Sequence, residues 1–93
     1  MTEQRLEREV WMNSSPRVVR YEILTSYQTL EGVEHLTYGI QCMGDWKGQW
    51  HPIDSIADIS VQRANVVRLT EQFNRLQLSP VHFREVVLDC VNA

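Results

Sequence analysis

The stretch Ile56-Ala57-Asp58-Ile59-Ser60-Val61-Gln62-Arg63-Ala64-Asn65-Val66-Val67-Arg68-Leu69 separates two hydrophobic rhythms. Before Ser60 apolar side chains tend to alternate, as in Tyr21 and Ile23 and in Leu36, Tyr38, Ile40 and Cys42, the two-residue period of a half-buried strand. After it they recur every three or four residues. Val66, Leu69, Phe73 and Leu76 make one helical stripe, with Arg63, Arg68, Glu71 and Arg75 placed for solvent. The spacing predicts a helix over residues 61–76 and a second over 80–91, with Phe83, Val86, Val87, Cys90 and Val91 turned inward. Ser79 can cap the second helix, and Pro80 suits its first position, where a missing N–H had no partner anyway.

Outward from that boundary, residues 17–29 read as a long strand. Val19, Tyr21, Ile23 and Tyr27 share one face and Arg20, Glu22, Ser26 and Gln28 the other, with Leu24 breaking the polar side. A Glu31-Gly32 turn returns the chain into residues 34–43, giving an antiparallel hairpin. Gly44-Asp45-Trp46-Lys47-Gly48 reads as a second turn, and residues 49–53 as a short strand kept at an edge by Pro52, which lacks a ladder donor. Residues 5–12 read as a first strand, a helix being the competing assignment, ended by Asn13-Ser14-Ser15-Pro16. The expected architecture is one α+β domain over residues 1–93: a three- to four-stranded antiparallel sheet over residues 5–59, followed by a C-terminal αα-hairpin packed on one face in two layers.

A chain of 93 residues with 43% apolar and 23% charged side chains has the composition of a small soluble globular domain, near the lower limit for a self-sufficient core. No run approaches a membrane span of about 20 apolar residues. Residues 1–10 mix Glu3, Glu7 and Glu9 with Arg5 and Arg8 and contain no apolar h-region, so no secretory signal is expected and a cytoplasmic location is. Cys42 and Cys90 are expected as two buried thiols rather than a disulfide. The net charge of −3 is uneven: residues 31–60 hold Glu31, Glu34, Asp45, Asp54 and Asp58 against Lys47 alone.

Three segments together, Thr37-Tyr38-Gly39-Ile40, Ile56-Ala57-Asp58-Ile59-Ser60, and Leu78-Ser79-Pro80-Val81-His82-Phe83-Arg84-Glu85-Val86-Val87-Leu88-Asp89, resemble a family of small, uncharacterised Firmicutes proteins over residues 17–92. That resemblance implies no activity and no functional residue.

No catalytic set stands out. His51 and Asp54 have the composition of a base and its orienter, but three residues apart in an extended segment they point to opposite faces unless Pro52 bends them together. His35, Cys42, His51, His82 and Cys90 include no Cys-x-x-Cys or His-x-x-x-His half-site, so no metal and no cofactor is expected. There is neither a Gly-x-Ser-x-Gly elbow nor a phosphate-cradling loop, and Cys90 lies on an apolar stripe. An enzyme would need a composite site across a dimer interface.

Binding surfaces remain. Trp46 and Trp50 flank Lys47-Gly48-Gln49 and either cap the open end of the core or anchor a partner. Glu31, Glu34, Asp45, Asp54 and Asp58 either keep the surface soluble or form an anionic patch for a basic protein. Leu24, Leu30, Val33, Met43 and Trp11 load the second face of the sheet with more apolar surface than solvent-facing strands usually carry, which predicts a partner or a second copy there. The favoured expectation is therefore a non-enzymatic protein-binding module of bacterial or mobile-element type. Its most specific form is an anti-CRISPR-like inhibitor of a nucleic-acid-processing enzyme such as an RNA-guided nuclease. The alternative is a small dimeric transcriptional regulator binding DNA through the helical hairpin. Direct nucleic-acid binding is disfavoured, because the second helix exposes His82, Arg84, Glu85 and Asp89, while the first is better supplied with Gln62, Arg63, Asn65 and Arg68.

Overall fold

The computed structural model describes residues 15–92, in which three antiparallel strands precede two C-terminal helices, an α+β arrangement. The strands are β1 (Val18–Leu30), β2 (Val33–Trp46) and β3 (Gln49–Ser60), in the order β1-β2-β3. Helix α1 (Arg63–Leu76) and helix α2 (Phe83–Asn92) follow, α2 entered through a 3₁₀ turn at Pro80–His82. The strand expected over residues 5–12, and Trp11 with it, lies outside the described residues.

Both strand connections are two-residue turns with positive φ at both central positions: Glu31 (53°) and Gly32 (80°), then Lys47 (55°) and Gly48 (83°). Such turns match the right-handed twist of the strands they join. The second is shorter than the sequence suggests. Gly44 stays inside β2 because the Trp46 ring lies against it: a Cβ there would stand 2.5 Å from the ring's Cζ3 and 2.8 Å from Ile53 Cδ1.

β3 is the larger correction, a 12-residue strand where five residues are expected. Pro52 is tolerated because β3 is an edge and because the register slips between Cys42 and Met43, the latter opposite Pro52. A second slip lies between Tyr38 and Ile40, where Asp58 takes φ 55°. A side chain at Gly39 would collide with the Ile56 carbonyl oxygen and stand 2.8 Å from Ala57 Cα, so only glycine lets β3 approach β2 there. Each slip resets the two-residue alternation. Ile53, Ile56 and Ile59, three residues apart, consequently all pack against the core, and this is why the segment does not read as a strand from spacing alone.

The core is Tyr21, Ile40 and Cys42 from the sheet, with Val66 and Phe73 of α1 and Phe83 and Val87 of α2. Tyr21 is its centre. Its ring lies 5.4 Å from both Phe73 and Phe83, which are 6.3 Å apart, and its hydroxyl donates to the Leu78 carbonyl at 2.6 Å. Its backbone, on the outer side of edge strand β1, is met by a side chain: the Tyr21 N–H donates to Asn74 Oδ1 at 2.7 Å, and Asn74 Nδ2 donates to the Tyr21 carbonyl at 2.9 Å. The Asn74 amide thus stands where a fourth strand would pair.

α1 starts at Arg63, two residues later than expected, with the Ser60 hydroxyl accepting from the Gln62 N–H at 3.0 Å. It ends at Gln77 in the left-handed region (φ 52°), with the Leu78 N–H bonded back to the Phe73 carbonyl at 3.0 Å. The expected Ser79 side-chain cap is not made. The Ser79 carbonyl accepts from the His82 N–H at 3.0 Å instead, so Pro80 opens a 3₁₀ turn and the α-helix begins only at Phe83. Cys42 is buried as expected, but Cys90 is exposed. Two turns on from Phe83 it keeps the same stripe, where α2 borders an open cleft beside Ile59 and Leu69 rather than the closed core.

Candidate functional site

Register decides which side of the sheet each candidate occupies. Asp45 faces Trp50 and Val18, and Arg20 faces Met43; these side chains lie opposite the core residues Tyr21 and Cys42. Trp46 pairs with Gln49 and Gly44 with His51, on the core side. The two tryptophans therefore do not form one aromatic loop: they sit on strands, on opposite faces. Trp46 is half-buried over Gly44, with its ring centroid 6.0 Å from that of His51. Trp50 is 37% exposed, and the Arg20 guanidinium stacks 4.2 Å from its ring centroid. Arg20 is in turn oriented by Glu22, its Nε and Nη2 donating to Glu22 Oε1 at 3.1 and 2.9 Å. With exposed Val18 and half-buried Leu24 and Met43, these three residues make a mixed aromatic, cationic and apolar surface on the face away from the core.

The five acidic candidates are not one patch. Asp45 is buried, with Oδ2 taking a 2.7 Å hydrogen bond from Arg17 Nη2 while Oδ1 has no hydrogen-bond partner among the described residues. Asp54 receives Arg84 Nε at 2.8 Å and Nη2 at 2.6 Å, and Oδ1 also accepts from the Ser55 N–H at 2.9 Å. That bidentate grip raises the Arg84 pKa further. It also shows what the Asp54 carboxylate does: it fastens α2 to β3 rather than orienting His51. Asp58 is exposed in the second register slip. Glu31 and Glu34 sit at the β1–β2 turn, about a dozen strand residues from Asp45, or about 40 Å at the usual strand rise.

Sequence reasoning misses two features. The first is an arm. β3 reaches only to Ser60, opposite Tyr38, so beyond Thr25 and Tyr38 the β1–β2 hairpin is two-stranded. It is still packed at the next pair, where Thr37 is buried and its hydroxyl hydrogen-bonds that of Ser26, and it projects from Tyr27 and Leu36 onward. Tyr27 (67% exposed) is paired with Leu36 (39%) on its core side, and Leu30 (62%) with Val33 (57%) on the other. The signal is present in the sequence, since apolar residues on both faces of one hairpin describe strands that leave the core, but only the missing third strand makes it legible. The second is a cleft of about 350 Å³ between α1 and the end of α2, bordered by Ile59, Arg68, Leu69, Gln72, Cys90 and Val91.

Among the described residues no three of His, Cys, Asp and Glu gather as metal ligands, and no helix is long and apolar enough to cross a membrane. Burial, ahead of every other influence, pushes both the Tyr21 hydroxyl and the Cys42 thiol above their ordinary pKa values. No curated protein and no solved structure matches the chain. A family model does match, over residues 3–93, which agrees with the resemblance to an uncharacterised family and extends it toward the N-terminus. With the match covering nearly the whole sequence, the chain belongs to the family of unknown function DUF6514.

Proposed function

We propose that this chain is a non-enzymatic, cytoplasmic protein-binding module whose partner docks on the sheet face around Trp50, with the two helices layered as a hairpin on the opposite face. One observation carries the reading: an exposed tryptophan, stacked by an arginine that a glutamate orients, shares the side of the sheet away from the core with Val18, Leu24 and Met43. Tryptophan and arginine dominate binding energy at interfaces, and a side chain already held in place loses less entropy on association. A face of this kind supplies shape and anchorage rather than chemistry.

The narrower proposal, an inhibitor that occupies the basic channel of a nucleic-acid-processing enzyme, now draws on fewer charges. Arg17 and Arg84 engage Asp45 and Asp54, leaving Glu31, Glu34 and Asp58 for a basic partner. The regulator reading has one observation of its own, since α1 exposes Arg63, Arg68 and Arg75 against Glu71.

The deciding experiment is affinity capture from a host lysate at low ionic strength, with and without nuclease treatment, using the wild-type chain and Trp50→Ala in parallel. A stoichiometric protein that survives nuclease and is lost with Trp50→Ala supports the binding module. Recovery that needs nucleic acid replaces it with the regulator, and capture indifferent to Trp50→Ala removes the Trp50 face as the contact.

A further inference from the structure

We infer that the projecting arm is a self-association device: in a two-fold dimer, the core-side face of each β1–β2 arm seats in the α1–α2 cleft of the other copy. The two surfaces fit in chemistry. On the core side the arm presents Tyr27 and Leu36 as a directly opposed pair, with Glu34 one pleat nearer the tip and Glu31 at the turn. The cleft presents Leu69 and Val91 as apolar wall and Arg68 as its charge, with Arg63 more than a turn earlier on the same helix. None of the described residues lining the cleft carries a carboxylate, and the arm between residues 25 and 37 carries no Lys or Arg. Among the described residues, no ion pair engages Glu31, Glu34, Arg63 or Arg68 within the chain.

The placement also favours a reciprocal contact. β3 ends at Ser60 opposite Tyr38, where the two-stranded part of the hairpin begins, and Ile59 and Ser60 also border the cleft; arm and cleft therefore lie side by side on one end of the molecule. A two-fold axis beside Tyr27 and Leu36 lets each arm cross the other and reach the opposite cleft, an isologous contact that doubles the area one arm buries. A two-stranded hairpin is marginal in water by itself, and a second copy supplies the third layer that β3 does not. This surface is separate from the Trp50 face, so docking there and the dimer fail independently; the dimer does use Glu31, Glu34, Arg63 and Arg68, and so competes with the inhibitor and regulator readings that draw on the same side chains.

Sedimentation equilibrium over a hundredfold concentration range tests it. The wild-type chain should be a monomer–dimer system. Glu34→Arg or Arg68→Glu alone should weaken the dimer roughly tenfold or more, and the double charge swap should recover most of the loss, because the pairing is restored with inverted sign. Both positions are exposed, so circular dichroism should not change. As a positional check that keeps the Glu34 charge, Thr29→Cys, at the exposed position paired with Glu34, should cross-link to Cys90 of a second copy through a short bismaleimide, and Cys90→Ser should abolish the product. A wild-type chain that stays monomeric throughout overturns the inference. So does a dimer whose double swap is no better than the single reversals, or one in which the Thr29→Cys variant gives no cross-link to Cys90.

Discussion

Replacing Asn74 with alanine should cost more than any other single polar truncation on α1. The Asn74 amide makes two well-formed bonds, 2.7 and 2.9 Å, to the N–H and C=O of Tyr21, closing the edge of β1 at the residue on which the core is centred. Each such bond contributes about 1 kcal/mol net, and leaving half-buried backbone groups unsatisfied adds a desolvation penalty, giving about 2–3 kcal/mol in all. That is a large share of the roughly 5–14 kcal/mol expected for a chain of this size. In urea, with a slope of about 1 kcal/mol per molar, the midpoint should fall by about 2–3 M at unchanged slope. Asn65→Ala is the control. Among the described residues the Asn65 side chain bonds only exposed Gln62, at 2.9 Å, and its loss should stay within about 0.5 kcal/mol. Hydrogen exchange supplies a second readout, since the Tyr21 amide should be protected in the wild type and exchange much faster in Asn74→Ala. A midpoint shift no larger than the Asn65 control, with Tyr21 protection intact, would show that water serves as well as the amide and that Asn74 does not close this edge.

Gly39→Ala should destabilise by about 3 kcal/mol or more in chemical denaturation, because the new Cβ meets the Ile56 carbonyl and Ala57 Cα and β3 must move, whereas Gly48→Ala, strained only by its positive φ, should cost about 1 kcal/mol. Ellman's reagent should titrate one thiol, Cys90, in the native protein and a second only in denaturant, because Cys42 is buried and its pKa is raised; two fast thiols in the native state would contradict the core described here. Stability should also decline at alkaline pH through Tyr21. Its folded pKa lies above the unfolded value of about 10, so its contribution is fully present below that value and is lost as pH rises through the folded pKa. Tyr21→Phe should flatten this alkaline slope in pH-dependent urea melts, while lowering stability near neutrality by loss of the bond to Leu78.

The fold is legible from sequence where one local signal meets one structural requirement. Glu31-Gly32 is a turn because its φ angles demand one, and Val66, Leu69 and Phe73 mark a helix because their spacing closes on a single face, although Leu76, the fourth of that expected stripe, ends exposed past the core, as Val91 does in α2. Legibility fails where long-range contacts reset the local rule. Ile53, Ile56 and Ile59 look like neither strand nor helix until two register slips bring them to one side. Ser79 has the composition of a cap, but its side chain makes none because Pro80 starts a tighter turn. Cys90 follows the buried stripe into an open cleft. For the candidate site, residue types are legible and their grouping is not. Acidic residues close in sequence separate along a 13-residue pairing, and Trp46 and Trp50 divide between faces because a tight turn fixes their register.

Tyr21 should also order the assembly of the molecule in time. β1, β2 and β3 each pair with their neighbour in the chain, so the sheet can zip through two local turns with little entropy lost to closure. The bonds from Tyr21 to Asn74 and Leu78 are of another kind, spanning 53 and 57 residues. Closing so long a loop becomes favourable only when the strand is already in place to receive the helices. A three-stranded meander should therefore form first, and the helices should dock last in one step gated by a single tyrosine. On that ordering, substitutions on the helical side of the Tyr21 contacts would chiefly speed unfolding, and those in the two turns would chiefly slow folding.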